Sequence, residues 1–142
     1  MTDMDKVYEL EMQVRDYECD IQGIVNNAVY QNYLEHCRHE FLNEVGLNFA
    51  QLHNDGVDAV VIRVEMDYKQ PLRPGDKFVV TLGMHKEGRL RFVFDQNIIR
   101  QSDGKMAIQA KVTGVLTKNG RPIAPTLFDE VLTAQGYTFN EL

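Results

Sequence analysis

The chain has 142 residues, 44% of them apolar and 25% charged, with a formal net charge of −6 and a pI near 5.1. That length suits one domain around one core, and the acidic balance excludes a nucleic-acid protein, which needs a basic face for phosphates; a small phosphorylated ligand needs only a few basic groups and stays open. No apolar run approaches the roughly 20 residues that span a bilayer, the acidic start Met1-Thr2-Asp3-Met4-Asp5 lacks the apolar stretch of a signal peptide, and two cysteines, Cys19 and Cys37, make no disulfide framework, so reduced thiols in a cytoplasmic protein are expected.

No repeat, low-complexity segment or linker interrupts the chain. Val7 to Arg15 alternates, with Tyr8, Leu10, Met12 and Val14 facing one way and Glu9, Glu11, Gln13 and Arg15 the other, which predicts a half-buried strand. Ala28 to Val45 is the one long helical pattern: Tyr30, Leu34, Cys37, Phe41 and Val45 form an apolar stripe, while Glu35, Arg38, His39 and Asn43 lie largely off it. Asn26 or Asn27 suits the N-cap and Gly46 the C′ position. Asn48 to Asn54 predicts one further short helix.

Strands follow from Val57. Val60, Ile62, Val64, Met66 and Tyr68 alternate with Val61, Arg63, Glu65, Asp67 and Lys69 until Pro71 and Pro74-Gly75-Asp76 stop the strand. Phe78, Val80, Leu82 and Met84 form the next apolar face. After a turn at Glu87-Gly88, Leu90, Phe92 and Phe94 begin a strand that runs to about Gln101. Ser102-Asp103-Gly104-Lys105 is a hairpin signal, and Met106, Ile108, Ala110, Val112, Gly114 and Leu116 make the last strand. Asn119-Gly120, Pro122 and Pro125 predict a loop, and Thr126 with Asp129 resembles a capping box for a short helix over Leu127 to Ala134. Strand, loop, long helix, then strands joined by short turns is an α+β order, an antiparallel sheet of about five strands against one helix. An open sheet leaves an edge to be managed, so pairing of subunits is expected.

The stretch from Tyr17 to Tyr30 carries the chemistry. Asp20 stands in a Gly-containing loop that leads through Asn26-Asn27 straight into the long helix. A helix start offers unpaired N–H groups and a partial positive charge. It can hold the oxygen of a polarised carbonyl while the carboxylate acts on the carbon, so acyl transfer or hydrolysis is indicated. Asp20 can attack the carbonyl or take a proton from water, and the helix dipole favours its ionised form. Asp is also a common turn former, and Asn27 suits a plain cap as well as a substrate contact. Tyr17 and Tyr30 suit an acyl pocket, a hydrogen bond to Asp20, or the core. Glu35 is the fallback carboxylate. Cys19 has no local base and Cys37 lies on the apolar stripe, so both read as small buried residues. His36, His39 and Glu40 lack metal-ligand spacing, no G-x-S-x-G, G-x-G-x-x-G or Walker A loop occurs, and no metal or cofactor is expected.

The run Val14-Arg15-Asp16-Tyr17-Glu18-Cys19-Asp20-Ile21-Gln22-Gly23-Ile24-Val25, followed by Asn27, Tyr30, Glu35 and Arg38, resembles the loop and helix start of hotdog-fold acyl-CoA thioesterases of the 4-hydroxybenzoyl-CoA thioesterase type. Asp67-Tyr68, Pro71 and Gly75-Asp76 resemble the exit of that family's second strand, and the three closing strands match in pattern. The resemblance covers roughly residues 7–118. It implies a hotdog fold and hydrolysis of an acyl-CoA thioester, with Asp20 as nucleophile or general base. The carbonyl oxygen would sit near the N–H of Asn26 or Asn27. Tyr17, Gly23, Val25, Asn26, Asn27 and Tyr30 would contact substrate. Many members carry His where this chain has Asn27, and others carry Asn-Asn; the pair here keeps the cap and lacks the ionisable partner. The family's active site lies between two subunits of a homodimer or homotetramer, so strand residues such as Val61 and Arg63 would complete the neighbour's pocket. Arg63, Lys69, Arg73, Lys86, Arg89, Arg91 and Lys111 are candidates for the phosphates of coenzyme A. Two rival readings are a hotdog enoyl-CoA hydratase, which would want an Asp–His dyad at the loop, and a non-catalytic dimer that binds acyl-CoA or acyl-carrier protein.

Overall fold

A computed structural model describes residues 6–140; the acidic start lies outside the described residues. Its elements are β1 (Lys6–Gln13), a 3-10 turn (Asp16–Glu18), α1 (Asn27–Glu44), α2 (Phe49–Asn54), β2 (Val57–Tyr68), β3 (Lys77–Glu87), β4 (Arg91–Arg100), β5 (Met106–Lys118), β6 (Arg121–Ile123) and α3 (Thr126–Ala134). The strands form one antiparallel sheet in the order β1-β3-β4-β5-β2, with β6 paired to the end of β5. α1 lies on its inner face, which is the hotdog arrangement. None of the described helices is long and apolar enough to cross a membrane.

Periodicity explains α1 well. Asn26 is the N-cap, its side chain accepting the Ala28 N–H, and Gly46 follows the helix at φ +87°, a left-handed conformation that glycine adopts without strain. The buried stripe is Tyr30, Tyr33, Leu34, Cys37, Phe41 and Leu42. Its rings meet the sheet through Tyr33 and Phe78, with centroids 4.7 Å apart, and Phe41 and Tyr8 at 5.6 Å. Gln96 is a polar residue at 0% exposure in this core. It donates to the Leu34 carbonyl at 3.0 Å and accepts from Arg38 Nη1 at 3.0 Å, so both ends of its amide are paired.

Short turns between strands predict neighbours, and β3, β4 and β5 obey. β2 does not. It pairs with β5 from Val57↔Lys118 to Tyr68↔Ile108, because the free side of β3 is already taken by β1. The connection over residues 69–76 therefore crosses the end of the sheet as a strap. Lys69 and Gln70 donate to the Ala107 carbonyl, Arg100 Nη1 donates to the Pro71 carbonyl at 2.8 Å, and Asp76 accepts the Val14 N–H at 2.9 Å. Pro71 and Pro74 supply no N–H, which keeps the strap from becoming a strand.

Three smaller corrections follow. β2 carries a bulge at Ile62, where Val61 opposes Gly114 and Arg63 opposes Thr113, so the expected alternation of Val60 and Ile62 with Val64 slips by one residue. The loop expected after β5 contains β6: Asn119 and Gly120, both at positive φ, make a two-residue hairpin turn, and Pro122 lies opposite Thr117. α3 has no capping box. Its N-cap is Pro125, with no side-chain cap bond, and the Asp129 carboxylate pairs with Lys86 Nζ at 2.7 Å instead.

Gly114 is where the sheet is tightest. A Cβ there would lie 2.6 Å from the Phe92 ring tip and 3.0 Å from the Val60 carbonyl, and Phe92 is held edge-on by Phe94 and Phe128. Gly114→Ala is expected to lower unfolding free energy by about 1–3 kcal/mol through overpacking, read from the urea midpoint.

Candidate active site

The loop before α1 is built from backbone hydrogen bonds. Glu18 caps the 3-10 turn, accepting from Arg15 N–H at 2.8 Å, and also accepts from the Tyr33 hydroxyl at 2.9 Å. Cys19 and Val25 face each other as an isolated antiparallel bridge. Between them the chain turns: Asp20 N–H donates to the Ile24 carbonyl, and Gly23, at φ +76°, donates to the Asp20 carbonyl. Asp20 Oδ1 accepts the Gln22 N–H at 2.8 Å, the side-chain turn that Asp forms readily. Asp20 is exposed.

The helix start is partly used up. The Asn26 N–H donates to the Glu18 carbonyl at 3.0 Å, Ala28 N–H to Asn26 Oδ1, and Val29 N–H to the Asn26 carbonyl. Among the described residues, nothing accepts from the Asn27 N–H. Of the two asparagines, Asn26 is thus the cap and Asn27 opens the helix with a free donor.

Leu72 of the strap ties this region to the sheet. It is fully buried; its carbonyl accepts the Val25 N–H at 2.9 Å, and its N–H donates to the Tyr30 hydroxyl at 3.1 Å. Val25 and Tyr30 are therefore framework residues, at 1% and 3% exposure. Burial raises the Tyr30 phenol above its ordinary pKa. Burial and then the Glu18 carboxylate do the same, more strongly, for Tyr33. Tyr17 is neither in the core nor bonded to Asp20. It projects into solvent with Ile21, at 77% and 104% exposure. Arg63 is not brought to the loop within one chain: it pairs with Glu65 at 3.1 Å, roughly 16 Å along β2 from Tyr68 at strand spacing. The Cys19 and Cys37 thiols are pushed up by burial, Cys37 to about 12, so neither is poised as a nucleophile. The buried His85–Asp95 pair joins β3 to β4 and the exposed His53–Asp58 pair joins α2 to β2, each at 2.6 Å and away from the loop.

Sequence reasoning missed Glu18, Leu72 and Tyr68. Tyr68, at the end of β2, donates its hydroxyl to the Asn27 carbonyl at 3.3 Å and sets its ring edge-on to Tyr30 at 5.7 Å. Its neighbour Asp67 and the following Pro71 mark a strand exit, the one local hint of this role. Beyond Tyr68 the gap between α1 and β2 stays open as a groove. A cavity of about 330 Å³ there is walled by Leu42, Val61, Phe92, Phe94 and Phe128. A smaller one of about 90 Å³ lies beside Gln31, Leu34, Val64 and Val112. Glu35 and Arg38 line both.

A curled antiparallel sheet on one long helix, with an acidic turn feeding the helix start, defines a hotdog-fold protein. The solved structure of a hypothetical protein from Aquifex aeolicus superposes with a TM-score of 0.80 at 29% identity, over 89% of this chain and 99% of that one. The chain belongs to the thioesterase-like superfamily, whose family model matches residues 14–136. Among its relatives, the Arabidopsis thaliana acyl-acyl carrier protein thioesterase ATL3, chloroplastic, is 39% identical over 121 residues. That match takes in 84% of this chain but only 64% of the relative. A putative esterase of Aquifex aeolicus is 32% identical over 112 residues, 79% of this chain and 86% of the relative.

Tyr30→Phe removes the acceptor that the buried Leu72 N–H has among the described residues. It is expected to lower stability by about 1–3 kcal/mol, the usual cost of an unpaired buried donor, in urea denaturation; an unchanged midpoint would mean that water replaces the hydroxyl.

Proposed function

We propose that this chain hydrolyses an acyl-CoA thioester to the free acid and coenzyme A, with a site of the 4-hydroxybenzoyl-CoA thioesterase type. One observation carries the reading: the Asp20 turn leads into a helix whose Asn27 N–H has no acceptor among the described residues. The thioester oxygen accepts from that N–H at the positive end of α1. Asp20 then acts as nucleophile or as general base. As nucleophile it bonds to the carbonyl carbon, the C–S bond breaks and coenzyme A leaves as thiolate. Water then opens the mixed anhydride and restores the carboxylate. As general base it takes a proton from the water that attacks the same carbon. Tyr17, Gly23, Asn26 and Ile21 shape the mouth, and the groove along α1 takes the acyl chain. Lys69 and Arg73, on the strap beside the loop, are the candidates for the coenzyme's phosphates; Lys86, Arg89 and Arg91 belong to the far end of the β3–β4 hairpin. The named activity of the Arabidopsis relative makes acyl-carrier protein the thiol to test beside coenzyme A. Two free thiols fit a reducing compartment such as the cytoplasm.

The working unit we propose is a homodimer. β2 is an edge strand of 12 residues that exposes Val60, Val61, Ile62, Val64 and Tyr68. So long and apolar an edge is a template for another strand. Two β2 edges paired antiparallel about Ile62 would be isologous. They would bring one chain's Tyr68 end, with its Asp20 loop, to the Val57 end of the other, where Val60 and Val61 line the groove. Arg63 would lie beside the two-fold axis.

Thiol release would be followed on short, long and aromatic acyl-CoAs. Asn at position 20 keeps an oxygen for the Gln22 N–H, so Asp20→Asn is expected to fold normally and lose about 10²-fold or more in kcat/KM; full activity in the variant would end the proposal. Tight binding with no turnover of any acyl-CoA or acyl-carrier substrate would make the chain a binding dimer instead. Ile62→Lys is expected to sediment as a monomer and to lose activity with it.

A further inference from the structure

The groove along α1 holds one feature that its apolar walls do not explain. Arg38 is half-buried on the flank of α1 that faces β2 and stands where the two cavities meet. Its guanidinium lies 6.0 Å from the Phe94 ring centroid, and Nη1 donates to Gln96 Oε1 at 3.0 Å. Gln96 is fully buried and its amide nitrogen is committed to the Leu34 carbonyl, so the fork is held from below by a side chain that cannot turn away.

The remaining donors are the point. A guanidinium carries five N–H donors, and among the described residues this one makes a single hydrogen bond and no ion pair within 4.0 Å. Burial lowers its pKa, and the Glu35 carboxylate one turn earlier partly offsets that. It nonetheless stays a cation, as arginine does. A desolvated cation with unused donors is costly against hydrocarbon and favourable against an oxygen. Ligand pockets commonly set one such polar group in an apolar wall to fix what enters.

We infer that Arg38, braced by Gln96 over Phe94, makes the groove select acyl groups that carry a hydrogen-bond-accepting oxygen along the chain over plain hydrocarbon chains of the same length. The inference rests on the proposal that the groove is the acyl subsite. Within one chain Arg38 follows Asn27 by eleven positions on α1, about 16 Å along the axis, so it stands away from that chain's own helix start, and the position of the oxygen it reads is found by moving the oxygen along the acyl chain.

The test compares dodecanoyl-CoA with a set of hydroxydodecanoyl-CoAs in which the hydroxyl is moved along the chain. The intact protein is expected to favour at least one hydroxylated isomer by about tenfold or more in kcat/KM, the value of a hydrogen bond to a charged group. That ratio is expected to fall to near one in Arg38→Met and to recover in part in Arg38→Lys. A purely structural arginine would change all substrates alike and leave the ratio where it was. The same ratio is read without turnover, from displacement of a fluorescent fatty acid by the free acids on Asp20→Asn. If no acyl-CoA is turned over, the proposed reaction fails while displacement still decides the role of Arg38. No preference at any position in the intact protein, a preference kept in Arg38→Met, or no displacement by either kind of acid overturns the inference.

Discussion

Leu72 is the point on which the site depends. A strap that crosses the end of a sheet carries backbone groups with no strand to pair them, and buried backbone N–H and C=O groups must find partners. Here both groups of one buried residue are spent on the candidate site: the carbonyl on Val25 at the exit of the Asp20 loop, the N–H on Tyr30 in the first turn of α1. Loop, helix start and sheet end are thereby fixed to one peptide. The Asp20 turn hangs from the Cys19–Val25 bridge and inherits that position.

The same crossover explains why the protein has a groove and an edge. Had β2 continued into β3 as a hairpin, it would have taken the side of β3 that β1 holds. By crossing, the chain leaves β2 at the margin beside β5, where Tyr68 joins it to the helix at Asn27 and Tyr30. The gap is the groove, and the outer margin is the apolar edge. The bulge at Ile62 divides β2 into halves of opposite phase. Val61 faces the groove on one side of it and Val64 on the other, while Arg63 faces away.

How far the sequence foretells this varies with the range of the interaction. α1, its cap and its terminal glycine are legible because one helical stripe and two cap residues are local signals. Asp20, Gly23 and the Asn pair are legible for the same reason. The place of β2 is not, since nothing between Val57 and Asp76 records that β1 occupies the edge of β3. The bulge is hidden because Val60, Val61, Ile62 and Val64 are all apolar, so a slip of phase leaves no trace in the pattern. Tyr30 and Tyr17 look alike in composition. Only Tyr30 lies on a helical stripe, whereas Tyr17 sits in a single 3-10 turn with no phase to orient it. Glu18, Leu72 and Gln96 owe their roles to partners 15, 42 and 62 positions away, beyond what spacing can report.

That Asp20 forms a turn and that it does chemistry are not competing accounts. The turn engages Oδ1 with the Gln22 N–H, which fixes the rotamer of a short side chain. Among the described residues no donor engages Oδ2, so the carboxylate is held by one oxygen and free at the other. Positioning of this kind is what a nucleophile or a general base needs before substrate arrives. The Asn pair divides its work in a similar way. Asn26 satisfies the Ala28 N–H and so completes the cap, which leaves the preceding donor on Asn27 exposed at the positive end of α1. An ionisable residue at position 27 would add a second titrating group beside Asp20. With asparagine there, the mechanism we propose draws on one carboxylate at the helix start, that of Asp20, while Glu35 and Arg38 stand farther along the groove.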